Sequence, residues 1–294
     1  MSKPLMSPVT QLSDDFPWDQ TVGLLLDALQ VQDLVQRLYE WSDAPQVHLL
    51  YDGTQWDELS RISPCLIHLR DQDDPVLVQF LASTAKLWGY LLVSDGTWGE
   101  LLTHMRWLTS FQPPQDEEMF LRISDPAVAQ ALFAAEHYPA VELFGPCQQV
   151  IVANAPLEGW TQFKRASEKP IPKYDKPFMT SEAQWTALKA VTFAKSMRAL
   201  YQHMQRFFPG YRADLTPERR LDHIHQLAGS AIADGFESEQ EIWLYANVFG
   251  FLGDEALEQH PDILELLTVR SELTTHQRVN RAATLAAERS IHGR

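Results

Sequence analysis

Residues 119–135 read MFLRISDPAVAQALFAA. Met119 to Ile123 are aliphatic or aromatic apart from Arg122, a composition that suits a short strand. Asp125 then stands where a carboxylate accepts hydrogen bonds from the free amides of a helix start. Pro126 takes the first helical position, where no amide hydrogen is needed. A helix is predicted over 126–135. A strand that runs through a cap into a helix is α/β grammar, and the sequence on either side repeats both ingredients. Further strands are expected at 47–51, 65–69, 90–93 and 149–152, and helices at 22–39, 75–87 and 98–108. The predicted fold class for residues 1–154 is an α/β lobe, a mixed sheet of about five short strands with flanking helices.

Residues 155–177, APLEGWTQFKRASEKPIPKYDKP, carry prolines and lysines but no sustained apolar period. A linker is expected over 155–180, either free or lying as a basic strap along the first lobe. From Ser181 onward the pattern is helical. Ser181 with Gln184 and Ser238 with Glu241 fit the capping box, in which the two side chains satisfy each other's backbone amides. Phe193, Met197, Leu200, Tyr201, Met204 and Phe208 recur at helical spacing and form one apolar stripe. Thr216 and Pro217 open another helix. EIWLYANVFGFLG, residues 241–253, is apolar all round and reads as a central, buried helix. A last helical region over 263–289 is expected to break near Thr274 and Thr275. An all-α C-terminal lobe is therefore expected over 181–294.

The 294 residues, 45% of them hydrophobic, suit two domains better than one. The formal charge of -15 is uneven. Residues 1–154 hold 21 acidic against 7 basic side chains, and residues 155–294 hold 18 against 17. An acidic half repels nucleic acid and anionic membrane, so neither is an expected partner. The excess acid serves solubility or forms a docking face for a basic partner. Cys65 and Cys147 have neither CxxC nor Cys/His spacing, so no disulfide framework or zinc site is implied. The N-terminus lacks a signal-peptide core, and no uncharged stretch is long enough to span a bilayer. A cytoplasmic protein is expected.

Catalytic signatures are missing. Gly53, Gly96 and Gly99 do not form GxGxxG or GxxxxGK, and GxSxG is absent. Ser94 and Asp95 read as turn chemistry after a strand. His223 and His225, two apart on a helix, diverge and cannot share one metal ion. Asp71, Asp73 and Asp74 read as a solvated turn, and Asp52 as a turn or cap residue. No cofactor and no metal are expected. Of nine tryptophans, Trp18, Trp41, Trp56, Trp88, Trp98, Trp107 and Trp160 fall in the first lobe or at its edge, as core or as interface anchors.

An ordered series of blocks brings a family into view. It comprises the strand into Tyr51, Asp52 and Gly53; Leu66, Ile67, His68 and Leu69; Trp88, Gly89, Tyr90, Leu91 and Leu92; Phe120 through Val128; and Leu143, Phe144, Gly145 and Pro146. The series resembles the adaptor or chaperone proteins of bacterial type VI secretion. In that family the fourth block tends to read Arg-Phe-Tyr-Asp-Pro-Arg-Val, so this chain keeps Arg122, Asp125 and Pro126 and lacks the aromatic pair. The helical lobe resembles the segment often appended to such adaptors, through Phe207, Phe208 and Pro209, Ile232 to Phe236, Glu239 to Ile242 and Phe251 to Gly253.

The resemblance implies a non-enzymatic bacterial protein that binds a toxin effector and promotes its loading onto a VgrG-type spike. Tyr51, Asp52, Trp88, Trp98, Arg122 and Asp125 are the expected partner-binding residues. Two alternatives stay open: a small α/β enzyme with Asp52, Asp95 and the acidic loop at its strand ends, and an immunity protein neutralising a basic toxin.

Overall fold

The segment TVGLLL is apolar toward both of its faces, and as Thr21–Leu26 (β1) it lies inside the sheet. The structure is a computed structural model and describes residues 12–13, 15–134, 141–154, 159–166, 173–269 and 271–292. After β1 come α1 (Leu34–Trp41), β2 (Val47–Leu49), a 3-10 segment (Asp57–Ile62), β3 (Cys65–Leu69) and α2 (Pro75–Leu81). Next are β4 (Gly89–Ser94), α3 (Trp98–Trp107), β5 (Ser110–Gln112), β6 (Met119–Phe120) and α4 (Pro126–Ala134). The α/β region closes with α5 (Val141–Phe144), β7 (Cys147–Ala153), β8 (Trp160–Lys164) and β9 (Phe178–Met179).

Six strands form one sheet in the order β2-β3-β1-β4-β7-β8, antiparallel at every pairing. A small sheet, β6-β5-β9, holds the parallel pairing, between β5 and β9. Side chains alternate across the large sheet. Leu25, Leu66, Tyr90, Leu92 and Val150 meet Leu101 and Met105 of α3 and Leu132 and Phe133 of α4. Leu24, Leu26, Ile67, Leu91 and Val93 turn the other way, onto Leu34 and Leu38 of α1 and Leu77 and Phe80 of α2. Each fully buried Leu or Phe contributes about 1.5–3 kcal/mol, and the sheet is clad on both faces.

The α/β lobe followed by helices is the expected architecture, and three details differ. The helix expected over 22–39 is β1 followed by α1. A six-residue run buried on both sides shows neither strand nor helix periodicity, so its length and the Asp27 turn decide the outcome. The strand expected over 119–123 stops at Phe120, after which Leu121 donates to the Thr109 carbonyl at 2.8 Å. Within the stretch expected to be a linker, Trp160–Lys164 joins the sheet, from Trp160 opposite Ala153 to Lys164 opposite Gln149. Residues 1–11, 135, 155–158 and 167–172 of the expected N-terminus, helix and linker lie outside the described residues.

The chain divides into two compact units between Val191 and Thr192. The second contains most of α6 (Glu182–Phe207), with α7 (Pro217–Ala233), α8 (Glu239–Leu252), α9 (Ala256–Gln259), α10 (Pro261–Thr268) and α11 (Thr275–His292). Both capping boxes form: Ser181 with Gln184 and Ser238 with Glu241 exchange amide bonds of 2.9–3.3 Å. The Thr216 hydroxyl accepts from the Arg219 amide. Helix α8 packs against α7 and α11, and its Tyr245 and Val248 share a core with Met197, Leu200, Ile224 and Ala282. The helical region breaks at Thr274, which caps α11 by accepting from the Gln277 amide at 3.2 Å.

Candidate functional site

Strand polarity sorts the chemistry to the two ends of the large sheet. Leu26 lies opposite both Cys65 and Gly89, and Leu49 opposite Cys65. Asp27, Trp88 and the Leu50–Tyr51–Asp52 turn therefore gather at one end. Thr21 lies opposite Ser94, and Val22 opposite Leu69. Asp95 and the Asp71–Asp74 loop thus lie at the other. The carboxylates of the enzyme alternative are split between opposite ends and do not converge.

The first end is organised by Arg122. Its guanidinium donates to Asp27 Oδ2 at 2.6 Å and lies 3.6 Å from Asp125 Oδ2. Both carboxylates also brace backbone: Asp27 Oδ1 accepts from the Leu29 amide at 2.9 Å, and Asp125 Oδ1 from the Ala127 amide at 3.0 Å. One arginine thus joins the turn after β1 to the start of α4. Burial raises the Asp27 carboxyl above its ordinary value, and the Arg122 charge and hydrogen bond oppose that rise. The Tyr90 hydroxyl donates to the Ile123 carbonyl at 2.7 Å and fixes the same segment from below. Arg122 keeps a side-chain exposure of 27%.

Tyr51 is buried, and its hydroxyl is held far above the ordinary tyrosine range by burial and by the Asp27 charge. Its ring meets Phe120 edge-on at 5.7 Å, and Trp56 meets the same ring at 5.0 Å. Phe120 remains 37% exposed and Met119 41%. The Gln55 amide bridges Ser110 Oγ and Glu118 Oε1, each at 2.7 Å, and the Trp56 indole N–H donates to Ser110 at 3.0 Å. A neighbouring groove of about 310 Å³ runs between Gln55, Arg106, Trp107, Glu118 and Tyr174.

Of the expected partner-binding residues, Tyr51, Asp52, Arg122 and Asp125 share this end, with Asp125 buried and acting as cap and anion partner. Trp88 reaches it from the α1 face, buried and stacked on Trp41 at 5.7 Å with the Lys86 ammonium 4.7 Å from its ring. Trp98 belongs to the opposite face, stacked on His68 at 4.5 Å. Gly23 makes room there, because a Cβ would stand 3.1 Å from Leu101. Sequence reasoning missed Asp27, inside a stretch read as helix, and Phe120, read as an ordinary strand residue. The signal for Asp27 is a lone carboxylate closing an apolar run.

At the far end the Ser94 hydroxyl donates to the Pro146 carbonyl at 3.0 Å and Asp95 pairs with Arg165, which also donates to the Gly145 carbonyl at 2.9 Å. These bonds tie β4, β7 and β8 together. Asp74 caps α2 by accepting from Val76 at 3.0 Å. In the helical unit, His223 Nε2 and Asp254 meet the Tyr211 hydroxyl at 2.8 and 2.7 Å. Among the described residues no group of three or more His, Cys, Asp or Glu could hold a metal ion, and no helix is long and apolar enough to cross a membrane.

The site is thus a braced arginine beside half-exposed aromatic and acidic side chains. Residues 24–142, which contain it, match a family described as a domain of unknown function, DUF4123. The chain is also 28% identical over 273 residues to the accessory protein VasW of Vibrio cholerae serotype O1, an alignment covering 91% of this chain and 88% of that protein. Together these findings support the type VI secretion adaptor family to which the ordered blocks point. No solved structure matches the chain.

Proposed function

We propose that this protein is a cytoplasmic effector adaptor of bacterial type VI secretion, a chaperone that binds a toxin effector and promotes its loading onto a VgrG-type spike. The observation that carries this reading is the extent of the similarity to an accessory protein: it covers 91% of the chain, so it includes both the sheet and the helices. The sheet end supports it. Arg122 and Phe120 are held in place by the buried Asp27 and Tyr51, so a binding surface there loses little side-chain entropy on complex formation.

The test is affinity purification from bacteria producing the tagged chain, a toxin effector and a spike protein at native levels, with toxin secretion measured beside it. Recovery of effector and spike, and loss of secretion when the gene is deleted, is the expected result. Neither protein recovered, with secretion undiminished, would sink the proposal. Protection of a recipient cell from the toxin, with unchanged delivery, would instead establish the immunity reading.

A further inference from the structure

We infer that the open edge of the small sheet, with its acidic surroundings, docks an extended basic segment of the protein partner that also carries apolar side chains. This rests on the adaptor reading and specifies the chemistry of what is gripped. The sheet order leaves β6 at an edge. Its inner side pairs with β5, Phe111 opposite Met119 and Ser110 opposite Phe120, and both β6 side chains are exposed. An edge of this kind accepts an added strand through main-chain hydrogen bonds, while alternate side chains are read by what lies on either side.

Phe120 and Trp56 lie together on one side of β6, and the exposed Met119, the neighbouring residue of the strand, faces the other. The charge around this edge is mostly of one sign. Residues 52–62 and 116–120 contribute Asp52, Asp57, Glu58, Asp116, Glu117 and Glu118 against the single cation Arg61. Gln55 joins the two segments by bonding Glu118 at 2.7 Å, and within the first segment Asp57 accepts from the Gly53 amide at 3.1 Å. Two neighbouring guanidiniums have inward partners, and Lys176, in the groove beside Glu118, shares that lining with Asp175. Arg122 is held by Asp27, and Arg106 donates to the Leu49 carbonyl at 3.3 Å. The outward carboxylates therefore set the sign of the local field, and lysines or arginines complement it.

The test uses the full chain and a fluorescent synthetic peptide alternating lysine and leucine, with a glutamate-for-lysine counterpart, read by anisotropy. The wild type is expected to bind the first and not the second. Phe120→Ser and Glu117→Lys should each weaken binding by about tenfold. Glu117 is exposed, so its variant carries little folding burden. The control, Asp71→Lys with Asp73→Lys, changes an equally acidic loop at the other end of the large sheet and should leave affinity within about twofold. Equal weakening by the control would reduce the effect to general acidity and overturn the inference. So would absence of binding by the wild type, or a concentration-dependent dimer abolished by Phe120→Ser, which would make a second copy the occupant. Effector and spike recovered normally by both patch variants would also overturn it while leaving the adaptor reading intact; failure of the wild type to recover them removes that reading instead.

Discussion

At the scale of single residues, the informative groups are those whose charge is set by burial. His104 on α3 is fully buried, with Nε2 2.9 Å from the Leu143 carbonyl and its ring under Gly145, where a Cβ would stand 2.4 Å away. Burial brings its pKa down from 6.5 to about 4. A histidine depressed in the folded state contributes stability that is complete above pH 6.5 and is lost as the pH falls toward 4. Stability at pH 5 should therefore be about 2 kcal/mol below that at pH 8 from this group alone. His104→Gln, neutral throughout, should remove that part of the slope in urea titrations; an unchanged slope would show that His104 is not its source. Asp27 gives the opposite sign. Its folded carboxyl is already raised, and Arg122→Ala removes the opposing charge. Stability is then retained at low pH and lost as the pH rises through the folded value, so the deficit should be about 3 kcal/mol at pH 7 and smaller at pH 4. Little of this was legible in the sequence. The Asp125 cap is local and readable, but Arg122 and Asp27 stand 95 residues apart, and only the fold brings them together.

At the scale of elements, local grammar reads well where the determinants are neighbours. The Ser181, Thr216 and Ser238 caps, the Asp74–Pro75 start and the break before α11 all follow from side chains within a few residues of the backbone groups they satisfy. Reading fails at β1, whose strand character comes from partners on both sides: Val22 pairs with Leu69 and Val93, and no short-range pattern encodes that sandwich. Glycines show the same division between local and tertiary control. Gly229 in α7 is exposed, and a Cβ there would touch nothing. Gly250 in α8 faces Phe208, whose ring root would lie 2.5 Å from a Cβ. Helix propensity alone favours alanine at both by about 1 kcal/mol. Gly229→Ala should gain that amount. Gly250→Ala should instead lose about 1–2 kcal/mol, because Phe208 must leave its place against Phe251, 4.8 Å away. Thermal unfolding of the two variants side by side tests this, and equal gains would mean that Phe208 is free to move.

At the scale of the whole molecule, charge and packing mark different divisions of the chain. The acid excess belongs to residues 1–154, and the capping box at Ser181 and Gln184 places the start of the helical region where the sequence suggests. Packing places the boundary later, between Val191 and Thr192, inside α6. The first turns of that helix complete the α/β unit: Leu188 is buried in its core, and the Trp185 ring lies 5.9 Å from Phe111 of β5. Gln184 is buried as well. The sequence hides this handover, because α6 is one uninterrupted helix whose apolar residues serve two cores in succession, Trp185 and Leu188 the first and Met197, Leu200 and Met204 the second. We propose that the functional boundary of the α/β unit follows packing and not the helix cap. A fragment comprising residues 1–191 should then unfold cooperatively in urea, and one comprising residues 1–180 should be about 4 kcal/mol less stable, from the loss of Leu188 and most of the Trp185 contact. The change should appear in the midpoint and in tryptophan emission, since Trp56 and Trp107 border the same core. Equal midpoints, after allowing for the emission of the lost Trp185, would show that the α/β core closes without α6 and would restore the boundary to the cap.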